Sequence, residues 1–157
     1  MDALFKSSMK FTYGEYKKFT NAVIMLKTII AVLLLELILL TIAYIFLNYY
    51  VLIIAVVFPI IIAIIQNINI KIVYNSNKIM QDIDVEYEFY EEYFHVKQPI
   101  GEAKIEYKML SKIIETKTNF YLMIANNQGY MLLKANMSNE LISFIRDKSK
   151  AMVIIYN

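Results

Sequence analysis

One carboxylate stands inside a long apolar run, and its position requires a chemical explanation. Glu36 lies near the middle of Thr28–Leu47, where every other residue is uncharged. An ionisable side chain at the centre of a bilayer is costly, so it normally faces a partner. Two interpretations stay open. Glu36 is either protonated and bonded to backbone or to a symmetry mate in a homodimer, or it meets a polar residue of another membrane protein.

A second acidic group alternates with apolar residues along one predicted strand, and its members are Asp82, Asp84, Glu86 and Glu88. Carboxylate oxygens are ligands for hard divalent cations. However, alternate residues of a strand lie about 7 Å apart, so four of them form a row and do not converge on one ion. The pattern favours a solvated face paired with Lys104 and Lys108 on a neighbouring strand.

Other residue types that do chemistry are scarce. His95 is the only histidine, there is no cysteine, and three glycines do not supply a phosphate-binding loop. Between Phe94 and Val96, alternation places His95 on the exposed face. The serines lack a histidine or lysine arrangement that would activate them. We therefore predict no catalytic residue, no cofactor and no metal site, and a protein that is not an enzyme.

The apolar residues form two runs, Thr28–Leu47 and Val51–Ile65, joined by Asn48-Tyr49-Tyr50. A helix needs about 20 mostly apolar residues to cross a bilayer core. The first run has that length, and the second reaches it only if the helix continues through Gln66 to Ile70. Soluble helices usually carry a polar stripe, and neither run has one. The pattern predicts a transmembrane hairpin.

Lysines lie at the outer ends of both runs and none lies in the connection: Lys6, Lys10, Lys17, Lys18, Lys27, Lys71 and Lys78. The positive-inside rule then places both termini in the cytoplasm and only the turn outside. Residues 1–80 carry a net charge of +4 and residues 81–157 a net charge of −2. This basic region favours anionic lipid and is too sparse for nucleic acid.

After Lys71 the pattern changes to period two, which predicts short antiparallel strands. A final amphipathic helix carries Leu141, Ile142 and Ile145 on one face. The predicted fold is therefore a membrane helical hairpin followed by a cytoplasmic α+β domain, in which a curled antiparallel sheet of about seven strands is closed by a C-terminal helix. The predicted units are an N-terminal segment with an entry helix (1–27), the hairpin (28–70) and the β-rich domain (71–157).

Local signals mark the ends of several elements. Thr12-Tyr13-Gly14-Glu15 matches a capping box that starts the entry helix, which is expected to run into the first span. Asn126-Asn127-Gln128-Gly129 predicts a β-hairpin turn, since Asn and Gly tolerate positive φ. Either Asn136 or Ser138 is expected to cap the last helix. The apolar Met152–Tyr156 is expected to pack on the sheet or touch the membrane.

The order of these elements resembles the YcxB-like family of small bacterial membrane proteins. The similarity runs from the entry helix through Tyr87–Val96, Ile105–Tyr107 and Lys112–Glu115 to Phe120–Met123. The resemblance implies a domain similar to pleckstrin-homology-like folds, with seven strands and a C-terminal helix. It implies no catalytic residue. Family members commonly have Pro-Lys after the last strand, whereas Leu133-Lys134-Ala135 keeps only the lysine.

Two functional hypotheses follow. The first is a non-enzymatic binding module in the bacterial cytoplasmic (inner) membrane, whose cytoplasmic domain contacts a protein partner or lipid headgroups. The second is a small membrane component that acts through its spans, as a transporter subunit or an immunity-type protein. The expected partners are the lipid bilayer and either a membrane protein or a second copy of the chain, and not nucleic acid.

Overall fold

The computed structural model describes residues 2–46, 49–149 and 153–155. The helices are α1 (Tyr13–Thr20), α2 (Leu26–Phe46), α3 (Tyr49–Ser76) and α4 (Asn139–Ser149). The strands within these residues are β1 (Phe5–Lys10), β2 (Asp84–Phe89), β3 (Tyr93–Gln98), β4 (Gly101–Glu106), β5 (Lys112–Glu115), β6 (Asn119–Ala125), β7 (Gln128–Leu133) and β8 (Val153–Ile155).

The entry helix and the first apolar helix are continuous, as the sequence predicts. A π-helical turn at Asn21–Met25 joins α1 to α2. Thr28–Phe46 and Tyr49–Ser76 are both long and apolar enough to cross a membrane, and almost none of their side chains is buried within the protein. This exposure disfavours a soluble helical core, because a core helix buries its apolar residues against neighbours.

The second span reaches spanning length in the way that the sequence requires. Its helix continues past Ile65 through the polar segment Gln66–Ile70 and ends at Ser76. Tyr49 and Tyr50, expected in the connection, instead form the first turn of α3, with their ring centroids 4.2 Å apart. The rest of the predicted connection, Asn48, lies outside the described residues, as does Leu47, the last residue of the first predicted run.

The β-rich domain consists of two four-stranded sheets. Their strand orders are β1-β2-β3-β4 and β7-β6-β5-β8, and all neighbours are antiparallel except β5 and β8. The prediction of one curled sheet is therefore wrong. The expected strand through Lys108 ends at Glu106, where Tyr107–Met109 forms a single 3₁₀ turn. The backbone N–H of Tyr107 donates to the Glu92 carbonyl (3.1 Å), and the chain then begins a new sheet.

The helical hairpin is inserted between two neighbouring strands of one sheet. β1 precedes α1 and pairs with β2 over Phe5–Lys10, in the register Phe5↔Phe89 to Lys10↔Asp84. At the far end of β1, the Phe11 N–H donates to the Ile83 carbonyl and the Asp82 N–H to the Phe11 carbonyl. The chain therefore leaves and re-enters the β-rich domain at adjacent points.

One hydrophobic core unites the two sheets with helices from both ends of the chain. Phe89, Phe94 and Phe120 are fully buried, and Leu141 and Ile145 of α4 pack on the same core. The entry helix contributes Phe19 to this core, and the π turn that follows it contributes Val23. The amphipathic pattern of α4 thus correctly predicted its buried face.

Of the two predicted caps of α4, Ser138 is the one that forms. The Leu141 N–H donates to Ser138 Oγ (3.2 Å), whereas Asn136 donates its amide to the Ser8 carbonyl (2.6 Å). Asn136 therefore ties β1 to the end of β7. In the predicted C-terminal segment, Val153–Ile155 pairs in parallel with β5, while Met152 and Tyr156 lie outside the described residues.

The β6–β7 hairpin forms where it was predicted, but for a different reason. Gly129 lies within β7 and has no positive φ. A Cβ atom there would lie 2.7 Å from the Leu122 carbonyl oxygen, beside the irregular register at Met123 and Ala125. Gly129 is therefore required for close approach of two strands, not for a turn conformation.

We expect Gly129→Ala to lower the stability of the full-length protein by about 1–3 kcal/mol, the usual cost of overpacking. Gly14→Ala is the matched control, because its Cβ would lie 3.8 Å from the nearest atom, Thr12 Oγ1. Alanine should be neutral or slightly stabilising in that helix. Thermal unfolding in mild detergent, followed by circular dichroism, measures both. Equal midpoints for the two variants would contradict the close-approach explanation.

Candidate functional site

An aromatic cluster forms the joint between the apolar helices and the β-rich domain. The Tyr74 ring, in the last turn of α3, lies 5.6–6.1 Å from the rings of Phe11, Tyr13 and Tyr16. Its hydroxyl donates to the Phe11 carbonyl (3.2 Å). The Gln81 side chain donates to the Tyr74 carbonyl (2.9 Å), so the segment between α3 and β2 is attached to the same cluster.

A buried polar contact attaches the entry helix to the second sheet. The Asn119 side chain is fully buried and donates from Nδ2 to Glu15 Oε2 (2.6 Å), while Lys18 binds Glu15 Oε1 (2.7 Å). Only half of the predicted capping box forms. The Glu15 N–H donates to Thr12 Oγ1 (3.3 Å), but the Thr12 N–H donates to the Lys10 carbonyl. The Glu15 carboxylate instead accepts a hydrogen bond from Asn119 of β6.

The position of Glu15 also affects a neighbouring tyrosine. Burial raises the pKa of Tyr121 to about 12, and the Glu15 carboxylate adds to the rise. The Tyr121 ring packs edge-on against Phe19 of α1, with centroids 5.5 Å apart. Tyr121 is therefore a neutral packing residue at physiological pH.

A groove of about 260 Å³ opens where the two apolar helices approach the joint. α1, the π turn and the start of α2 form one wall, and the late turns of α3 form the other. Its polar lining residues are Tyr16, Thr20, Asn21, Thr28, Gln66 and Asn69. π turns often occur at functional sites. We name this cavity the interfacial groove.

The structure places Glu36 in the seam between the two apolar helices. It lies in the less exposed row of α2 with Val32, Leu39 and Ala43, the row that faces α3. Its Oε2 atom is buried and has no hydrogen-bond partner among the described residues. Glu36, the candidate polar contact, is therefore half-buried in the seam, with one carboxyl oxygen unpaired among the described residues.

The predicted row of carboxylates pairs with other lysines than expected. The neighbours of β2 are β1 and β3, so Glu88 binds Lys6 (3.1 Å) and Lys97 (3.0 Å). The predicted pairing of the row with Lys104 and Lys108 is wrong, since β4 is not adjacent to β2. The hydrogen bonds from Lys97 and Lys6 hold the pKa of Glu88 below its usual range.

Asp82 and His95 also differ from expectation. Asp82 lies before β2 and takes a left-handed conformation (φ 53°), so it is not part of the row. His95 is half-buried rather than exposed, opposite Glu88 and Lys104 in the strand register. Within the described part of the chain, no group of three or more His, Cys, Asp or Glu side chains is arranged to hold a metal ion.

A second charged cluster surrounds Glu115 and joins β5 to α4. Its carboxylate accepts from Arg146 Nη2 (2.6 Å) and Lys134 Nζ (2.6 Å). Lys134 also donates to the Thr116 carbonyl (2.6 Å) and lies over the Phe120 ring. Lys134, directly after β7, therefore binds the end of β5, and Glu115 in turn binds Arg146 of α4. The hydrogen bond from Arg146, followed by that from Lys134, lowers the pKa of Glu115.

The interfacial groove and the Tyr74 joint were not predicted from the sequence. The available signal was the polar segment Gln66–Asn69 inside an apolar helix, which we interpreted only as a continuation of the span. Nothing in the sequence shows that Asn21 would face this segment, because that contact depends on how α1 packs beside α3.

These features define a β-rich domain with an apolar helical hairpin inserted between its first two strands. Residues 89–148, from the end of β2 through most of α4, match the family model described as YcxB-like protein. The match confirms the YcxB-like assignment that the sequence pattern predicts. The comparisons with curated proteins and with solved structures give no match.

We expect Glu115→Gln to destabilise the full-length protein by about 1–3 kcal/mol at neutral pH, as for hydrogen bonds to charged groups. The folded-state pKa of Glu115 lies below its ordinary value of 4.5. Its contribution is therefore complete above that value and is lost as the pH falls through the folded-state pKa. Thermal unfolding from pH 7 to pH 3 measures the difference between wild type and variant.

The matched control is Glu102→Gln, at an exposed position of β4. A Glu115→Gln effect that stayed constant down to pH 3 would show that the side chain acts through packing and not through its charge.

Proposed function

We propose that the protein is a membrane-anchored, non-enzymatic binding module. Its two apolar helices form the anchor, and its β-rich domain contacts a protein partner or lipid headgroups. The observation that carries the proposal is the insertion of the hairpin between β1 and β2. This connection holds the domain beside the ends of the helices at two points of the chain, so a bound partner would be kept at the membrane.

We infer further that the domain is similar to pleckstrin-homology-like folds. Seven strands, β1 to β7, are antiparallel to their neighbours among these seven; four of them form the first sheet, three join β8 in the second, and α4 follows and packs on the core. In this interpretation β1 supplies the first strand, and the helical hairpin occupies the connection between the first and second strands.

The proposed location is the bacterial cytoplasmic membrane, crossed twice, with both termini in the cytoplasm. The lysine pattern supports this orientation. The fold supports it too, since α1 and the residues after α3 meet at one end of the hairpin, at the Tyr74 joint. Both flanking segments then lie on the same side of the bilayer.

The absence of cysteine from the chain makes this topology directly measurable. Tyr50→Cys, in the first turn of α3, should react with a membrane-impermeant maleimide in intact cells. Asn127→Cys, in the exposed β6–β7 turn, should react only after the cells are permeabilised. Labelling of Asn127→Cys in intact cells would refute the proposed orientation.

A second candidate function places the activity in the spans. The buried, unsatisfied Oε2 of Glu36 favours this candidate. An unpaired polar atom in the membrane is costly, so a hydrogen bond from a partner protein would be favourable there. A transporter subunit or an immunity-type protein would use such a contact, either with another membrane protein or within a homodimer.

Photo-cross-linking in cells separates the two candidates. A photoreactive residue replaces either Glu102 on the exposed edge strand β4 or Ile53 on the exposed surface of α3. The binding module predicts protein adducts from position 102, at equal yield in wild type and Glu36→Gln. Activity in the spans predicts adducts from position 53 that are lost in Glu36→Gln. That second pattern, without adducts at position 102, would overturn the leading proposal.

A further inference from the structure

We propose that the interfacial groove is a binding site for an anionic phospholipid of the cytoplasmic leaflet. The inference rests on the proposed membrane insertion of α2 and α3. It goes beyond the proposed function because it places a lipid site between the helices of the anchor and not on the β-rich domain.

The level of the groove in the bilayer follows from its lining residues. Thr28 is the first residue of the apolar span Thr28–Phe46, and it lines the groove together with Gln66 and Asn69 of the other helix. These residues lie at the end of the hairpin that adjoins the β-rich domain. The groove therefore opens at the boundary between acyl chains and headgroups.

The lining provides both kinds of surface that a phospholipid contacts, apolar and polar. Ile24, Ile70 and Val73 provide apolar surface. Asn21, Gln66 and Asn69 provide side-chain amides, and these amides form no hydrogen bond with the described residues. Free amide N–H groups are donors suited to phosphate and glycerol oxygens.

The charge of the surrounding segments selects an anion. Residues 16–28 and 66–78, which form the two walls and their flanks, contain five lysines and no aspartate or glutamate. One of them, Lys18, is held by Glu15 at 2.7 Å. Juxtamembrane lysines attract the anionic lipids of the cytoplasmic leaflet. A zwitterionic lipid would gain less from the same walls.

The size of the groove favours a lipid over a second copy of the chain. Its volume of about 260 Å³ accommodates a headgroup with its glycerol and first methylenes. A packed helix is about 10 Å across and requires an extended face. Asn21 and Asn69 stand at the exposed mouth, where a diffusing lipid can enter.

The test uses the purified full-length protein and native mass spectrometry, with phosphatidylglycerol and phosphatidylcholine of identical acyl chains. Wild type should retain phosphatidylglycerol preferentially. Asn69→Leu should bind it about tenfold more weakly, as expected for losing a hydrogen bond to a charged group. Asn67→Leu is the matched control, because Asn67 is outside the groove lining and its amide donates to the Ala63 carbonyl of its own helix (2.9 Å).

A second variant guards against a folding defect in Asn69→Leu. Asn69→Asp places a negative charge at the mouth and should reduce phosphatidylglycerol binding at least as strongly, while its circular dichroism stays that of wild type. Equal retention of both lipids by wild type would overturn the lipid site. So would equal losses in Asn67→Leu and Asn69→Leu, or a protein dimer that Asn69→Leu dissociates.

Alkaline extraction of membranes from the expressing cells distinguishes failure of this inference from failure of the proposed function. A wild-type protein that is released into the supernatant would overturn membrane insertion, and the lipid site with it. A protein that stays in the membrane pellet but shows no preference for phosphatidylglycerol would overturn the lipid site alone.

Discussion

The contact on which the rest of the structure depends is the packing of Tyr74 against the start of α1. The helical hairpin interrupts a sheet between two strands that must pair, so its two ends have to be brought together. Rings from Phe11, Tyr13 and Tyr16 surround the Tyr74 ring and bring them together in one cluster. Burying aromatic rings removes a large apolar area from water, and edge-to-face pairs add to that gain.

The joint is reinforced by polar contacts that fix orientation. Asn119 is fully buried, and its amide reaches across to Glu15 of α1. A buried amide left without a partner is costly, so this contact favours one docking angle of the helix over others. Phe19 and Val23 continue the same attachment into the domain core. The entry helix thus packs in the β-rich domain and is continuous with the helical hairpin.

The same geometry creates the features that suggest function. Because α1 is fixed to the domain and continues through a π turn into α2, α3 can approach it only at its late turns. The space left between them is the interfacial groove. Farther along the seam, the Oε2 atom of Glu36 is buried without a hydrogen-bond partner among the described residues. The groove lies at the end of the hairpin next to the β-rich domain, and Glu36 lies farther along the apolar helices.

Much of the local structure was determined by the sequence alone. Two long apolar runs and the period-two pattern after Lys71 each have one strong physical interpretation. Helices satisfy their backbone hydrogen bonds locally, and alternation reports a half-buried strand directly. The α4 face and the YcxB-like resemblance were therefore accessible without coordinates, whereas the sequence left Asn136 and Ser138 as alternative caps and the structure chose Ser138.

The tertiary structure decided which elements are neighbours. The pairing of β1 with β2 joins residues about eighty positions apart, and no local pattern reports it. Because β1 and β3 flank β2, Glu88 binds Lys6 and Lys97 rather than the predicted lysines. The second sheet, the redirected Glu15 and the groove have the same origin. Each depends on contacts between distant segments, whose free energy comes from burial in a shared core and not from any one segment's propensity.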